Sequence, residues 1–240
     1  MKNAPPVIDE LEITAANYKF PAPSTASPAT PTLTLPPLGR KSAPSSPSVP
    51  SDSGSSPTLS WAKGQIGARW LANDENGDTL VFKVEIRGEK ETTWKLLKDK
   101  VRERYFSWDS TAFPDGRYVL RITASDAPSN PPDQALMASR DSDPFLIDNT
   151  PPEITGLSGT PSGGKIEIRF HAQDSLSTLG KAEYSINGGD WLVVEPTTRL
   201  TDSKEHDYRV LIDRGQGEVT VAVRVSDEYY NEAVAKTVVN

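Results

Sequence analysis

Beyond residue 58, apolar and polar side chains alternate with a period of two. Ile166, Ile168, Phe170 and Ala172 are interleaved with Lys165, Glu167, Arg169 and His171, which puts four apolar groups on one face of an extended segment. Val219, Val221, Val223 and Val225 repeat the pattern, as do Leu80, Phe82, Val84 and Ile86, and Tyr118, Leu120, Ile122 and Ala124. Each run predicts a strand with one buried face. No stretch sustains a helical period; Trp94 to Arg104 reads as a single short helix. Turn chemistry separates the runs: Asp74-Glu75-Asn76-Gly77-Asp78, Pro114-Asp115-Gly116 and Asn187-Gly188-Gly189 supply positive φ or Asx hydrogen bonds. About seven short strands per half, punctuated in this way, predict β-sandwiches rather than alternating strands and helices.

The two halves share one plan. Arg69-Trp70-Leu71-Ala72-Asn73-Asp74 lines up with Arg169-Phe170-His171-Ala172-Gln173-Asp174, and Ile86-Arg87-Gly88 with Ile186-Asn187-Gly188. A tryptophan follows in each half, Trp94 or Trp191, and Ser125-Asp126 with Asn130 matches Ser226-Asp227 with Asn231. Three ordered blocks at a nearly constant offset point to duplicated domains. The expected limits are 59–149 and 150–240, with the boundary at Asp148-Asn149-Thr150-Pro151-Pro152, where two prolines end one strand and begin a stiff hinge.

Residues 1–58 differ in texture. They hold twelve of the 21 prolines and only two aromatics, Tyr18 and Phe20, so they lack the apolar surface that offsets chain entropy. The expectation is a disordered Pro/Ser/Thr-rich segment, extended from Ala22 to Pro57. Within it, Val7 to Ile13 reads either as a short strand or as the end of a strand from a preceding domain.

The formal charge of −7 and the pI near 5.0 argue against nucleic-acid or anionic-membrane partners, which need clustered Lys and Arg. With no cysteine, disulfides, thiolate metal sites and cysteine nucleophiles are excluded. The start of the chain has no apolar stretch of signal-peptide length, and nowhere do about 18 apolar residues run together. Neither membrane insertion nor an export signal is expected within the chain, so export would make it a fragment of a longer protein.

The first half resembles a fibronectin type III module: Trp70 on an early strand, Val81 to Arg87 as the next, then Phe113-Pro114-Asp115-Gly116-Arg117-Tyr118, similar to that family's turn into a strand with a core tyrosine. The second half looks like a bacterial immunoglobulin-like repeat, with Val225-Ser226-Asp227 and Asn231 as its last turn. The order of linker and two domains is similar to the C-terminal parts of large exported bacterial β-propeller proteins. This resemblance implies a non-catalytic tandem module, periplasmic or extracellular, serving as a structural spacer or interaction unit of a larger protein. Its implied partners are other domains of that protein and protein or polysaccharide at the cell surface. The alternative is an accessory carbohydrate- or protein-binding module using loop aromatics.

Candidate chemistry is sparse. Asp74, Asn76 and Asp78 place oxygens at alternate positions of a tight turn, an arrangement that suits calcium, and the sequence suggests no other cofactor. That turn also resembles the Asp-x-Asx-Gly-Asp turn of cadherin-like repeats, and Asp148 to Pro152 resembles the linker of that family, where calcium stiffens domain junctions. The match departs from that family in lacking a Leu-Asp-Arg-Glu-like element, and no Glu stands twelve positions after Asp74. An ion-free Asx-rich connection is the competing reading. Asp126, Asn130, Asp227 and Asn231 recur in both halves, which invites a shared cation or partner site, with turn capping as the favoured reading. His171 and His206 have no ligand at metal spacing and are expected to be lone exposed histidines. No phosphate loop, nucleophile elbow or zinc-helix motif occurs. Trp61, Trp94, Trp108 and Trp191 are candidates for a sugar-stacking platform, with structural packing the competing reading, while Tyr229 and Tyr230 are the candidate exposed binding element.

Overall fold

The computed structural model describes residues 2–22, 57–214 and 217–239, and the expected linker from Ala22 to Pro57 falls almost wholly outside them. Among the described residues there are seventeen strands, one 3-10 turn and no α-helix. The first ten strands are β1 (Val7–Ile13), β2 (Tyr18–Lys19), β3 (Ser60–Trp61), β4 (Gln65–Asn73), β5 (Val81–Gly88), β6 (Lys95–Val101), β7 (Tyr105–Asp109), β8 (Gly116–Ser125), β9 (Met137–Asp141) and β10 (Phe145–Ile147). One sheet runs β1-β4-β7 and the other β10-β8-β5-β6, with β9 continuing the β10 edge along β8; β2 and β3 form a short ribbon.

The remaining strands are β11 (Glu153–Ser162), β12 (Lys165–Gln173), β13 (Leu179–Ile186), β14 (Leu192–Val193), β15 (Glu205–Asp213), β16 (Val219–Asp227) and β17 (Glu232–Val239). They repeat the order as β11-β12-β15 against β14-β13-β16-β17. Each half thus closes a three-stranded sheet over a larger one around its own core.

The predicted alternation is what fills these interiors. Phe82, Val84 and Ile86 of β5 face Leu120, Ile122 and Ala124 of β8 across the ladder in the first core, while Val221, Val223 and Val225 of β16 join Ile166, Ile168 and Phe170 of β12 in the second. Trp70 stands edge-on to Phe82 at 5.3 Å, and Phe170, its repeat counterpart, stacks on Tyr208 at 4.7 Å. Tyr118 is buried, and its hydroxyl donates to the Pro114 carbonyl at 2.7 Å, pinning the turn that enters β8. Asn187 and Gly188, at φ 51° and 73°, make the tight connection after β13 as the sequence predicts.

Two expectations are corrected. The first sandwich does not begin at residue 59: β1 pairs antiparallel with β4, Leu11 opposite Trp70 and Ile13 opposite Ala68, and buries Ile8 in the first core. Of the two readings of Val7 to Ile13, the strand is right, and residues 23–56 fall between strands of one domain instead of ahead of it. The second correction is the helix at Trp94 to Arg104. Lys95–Val101 is an edge strand on β5, because only Leu97 and Val101 turn toward the core and no helical stripe exists. Its charged remainder blunts the edge.

One glycine carries a close approach. A Cβ on Gly159 of β11 would fall inside van der Waals contact of Val239 at the end of β17 and 3.0 Å from Ile168 Cδ1. Gly159→Ala is therefore expected to destabilise the second domain by about 1–3 kcal/mol, as overpacking does, measured as a lower denaturation midpoint with unchanged slope.

Candidate functional site at the acidic junction

The chain between β10 and β11 is held by both sandwiches. The Asn149 N–H donates to Asp115 Oδ1 at 2.8 Å, and the Asn149 amide donates to the carbonyls of Ser110 and Phe113, fastening the linker to the first domain. From the second domain, Asn231 Nδ2 donates to the Asp148 carbonyl at 3.0 Å. A further bond crosses directly: Asn17 Nδ2 donates to the Tyr229 carbonyl at 2.7 Å, while Asn17 Oδ1 accepts from the Gly64 N–H. A cleft of about 280 Å³ opens here, with Asn17, Ser110, Asp148, Tyr229 and Asn231 in its walls.

Beside it three carboxylates meet. Asp148 arrives from the linker, Asp174 from the turn after β12 and Asp227 from the end of β16, and one oxygen from each lies within 4.8 Å of the others. All three are buried. Asp174 Oδ1 accepts from the N–H groups of Leu176 and Ser177, and Asp227 Oδ1 from those of Tyr229 and Asn231. Asp148 Oδ2 and Asp174 Oδ2 are buried with no hydrogen-bond partner. Burial pushes Asp148 above the ordinary carboxylate range, and the charges of Asp174 and Asp115 add to it. Burial also raises Asp227, with Asp148 acting in the same sense. Among the described residues no Lys, Arg or His forms an ion pair with any of the three.

The first domain holds a related cluster. Asp74 and Asp78 converge, as the turn sequence suggested, but on Asp126, and Asn76 faces elsewhere: its Oδ1 accepts the Ala4 N–H at 2.8 Å. Here two of the three acids have amide partners, and Asp74 Oδ2 has none; in the junction cluster one does, Asp227 Oδ2 accepting from Asn231 Nδ2. Asn3 Nδ2 donates to Asp126 Oδ2 and Asn130 Nδ2 to Asp78 Oδ2. Asp227 caps its turn, as expected, whereas Asp126 Oδ1 accepts the Leu136 N–H across a longer loop.

Sequence reasoning missed the meeting of Asp148 with Asp174 and Asp227. A signal was present: Asn3-Ala4-Pro5-Pro6 repeats as Asn149-Thr150-Pro151-Pro152, each just ahead of the first strand of its sandwich. These copies lie 146 residues apart, whereas Asp74 and Asp174 lie 100 apart, and the mismatch hides the pair.

The aromatics do not form one row. Trp108 is buried; Trp94 lies under the guanidinium groups of Arg87 and Arg121, at 4.8 and 4.2 Å, and Trp191 under that of Arg224 at 4.3 Å. Tyr229 is half-buried at the junction, whereas Tyr230 is 55% exposed on a left-handed turn, φ 63°. His171 pairs with Asp207 at 2.9 Å on the outer face; His206, expected to be exposed, is buried beside Tyr208 because its strand turns it inward opposite Ala172.

No family model and no curated protein matches the chain. Solved structures similar to it include the fibronectin(III)-like modules of Clostridium thermocellum CbhA, at 16% identity and TM-score 0.35 over 73% of this chain and 85% of that one. Dimeric latent PorU from Porphyromonas gingivalis is similar at 14% identity and TM-score 0.33, over 72% and 21% of the two chains. The three-domain segment FN1–FN3 of chicken CNTN1 is similar at 10% identity and TM-score 0.37, over 75% and 63%. The class follows from strand order and the tyrosine-pinned turn of the first domain: the chain carries two fibronectin type III-like, immunoglobulin-like β-sandwiches in tandem.

Proposed function

We propose that the tandem is a non-catalytic spacer that holds neighbouring parts of a larger exported bacterial protein at a set distance and orientation, in a periplasmic or extracellular setting. One observation carries this reading: the linker is hydrogen-bonded to both sandwiches through Asn149 and Asn231, and Asn17 bonds across to Tyr229. Two filled β-sandwiches are stiff, so fixing the short segment between them fixes the whole. Attachment near a β-propeller, implied by the sequence resemblance, is part of the same proposal. The exposed ring of Tyr230 favours a second role, contact with a protein or polysaccharide surface.

Residual dipolar couplings test the spacer directly. Both domains are expected to share one alignment tensor, and Asn149→Ala, which releases the linker from the Ser110 and Phe113 carbonyls, is expected to split it. Two unrelated tensors in the unmodified protein would remove the spacer reading.

A further inference from the structure

We infer that Asp148, Asp174 and Asp227 form a binding site for a divalent cation of the calcium type, which clamps the linker onto the second sandwich. Three carboxylates from three separate elements place oxygens within 4.8 Å of one another. Proximity alone is common among acidic residues; the burial and the unfilled valences are not. Asp148 and Asp174 are 5% and 8% exposed, and each turns an Oδ2 with no partner into the protein. Buried carboxylate oxygens are ordinarily satisfied by donors or by a metal. Asp174 Oδ1 and Asp227 Oδ1 are fixed by backbone N–H groups and Asp227 Oδ2 accepts from Asn231 Nδ2, which orients these carboxylates in advance.

The donors decide the metal class. An all-oxygen, carboxylate-rich set suits a hard ion, and calcium tolerates the irregular geometry of loop-borne ligands better than magnesium does. The cluster of Asp74, Asp78 and Asp126 is the internal control. Only one of its carboxylates, the partly buried Asp74, keeps an unpartnered oxygen, while Asp78 and Asp126 accept from Asn130 and Asn3, so it is expected to bind weakly or not at all.

Because Asp148 belongs to the linker, the ion would tie that segment to the turns after β12 and β16. The hydrogen bonds behind the spacer reading do not depend on it, so failure of one leaves the other standing.

The test uses the full chain stripped of metal, melted by calorimetry with chelator, with calcium and with magnesium. Calcium at a hundredfold excess over its dissociation constant is expected to raise the second-domain transition by roughly 10 °C or more. Titration calorimetry should show one tight site, weakened at least about tenfold by Asp148→Asn, whose position outside the strands spares the fold. Asp74→Asn is expected to leave binding unchanged. Asp174→Asn serves as the second variant and should match Asp148→Asn. The inference is overturned if calcium neither binds nor shifts the melt, if binding survives both Asp148→Asn and Asp174→Asn, or if Asp74→Asn abolishes it.

Discussion

A chain shortened to begin at Leu59 is expected to lose the cooperative unfolding of its first domain while the second melts as before. The shortened chain would retain every residue of the compositionally folded half, yet it would lack β1 and the segment that follows it. Ile8 is buried in the first core and Leu11 and Ile13 pack against it; Phe20 is 4% exposed, its ring against Gly67 and 5.2 Å from Tyr105. Removing two fully buried and two partly buried side chains of this size forfeits roughly 6 kcal/mol of apolar burial. That is comparable to the whole stability of an ordinary small domain, about 5–15 kcal/mol. The loss also uncovers the edge of β4, whose Trp70, Ala68 and Ala72 pair with β1. Calorimetry on the two chains checks it. If the shortened chain keeps both transitions at their original temperatures, β1 is dispensable and the domain limit belongs at residue 59 after all.

The second large effect is expected at Trp70. It is 2% exposed, wedged between the sheets against Phe82, and its indole N–H has no hydrogen-bond partner. Trp70→Ala leaves a cavity that the rigid strands around it cannot close, at a cost of about 3–5 kcal/mol. Trp70→Phe should cost far less, about 1–2 kcal/mol, because it keeps most of the apolar volume and removes an unsatisfied donor. The second domain already carries phenylalanine at this place, Phe170, 3% exposed. Urea unfolding of both variants gives the comparison. Equal losses would mean that the indole nitrogen has a partner and that the ring acts through more than its volume.

Asp174 closes the strand that carries Phe170 and Asp227 closes the strand of Val221, Val223 and Val225, so each carboxylate is positioned by a strand whose other residues fill the core. The fold fixes the geometry to the extent that the core is rigid.

The sequence by itself determined the class of fold, the duplication and the inward faces of the strands. These follow from the alternation of apolar side chains and from turn residues such as Asn187-Gly188, which act through local geometry and need no knowledge of distant partners. Tertiary structure decided what depends on pairing across the chain. Val7–Ile13 joined the first domain because its apolar positions complete an edge that Trp70 and Ala68 leave open, which composition around it concealed. Lys95–Val101 became a strand because β5 offered an edge to pair with, overriding a weak local preference. Asp148, Asp174 and Asp227 lie far apart in sequence, and only the packing of a linker against two strand ends brings their charges together.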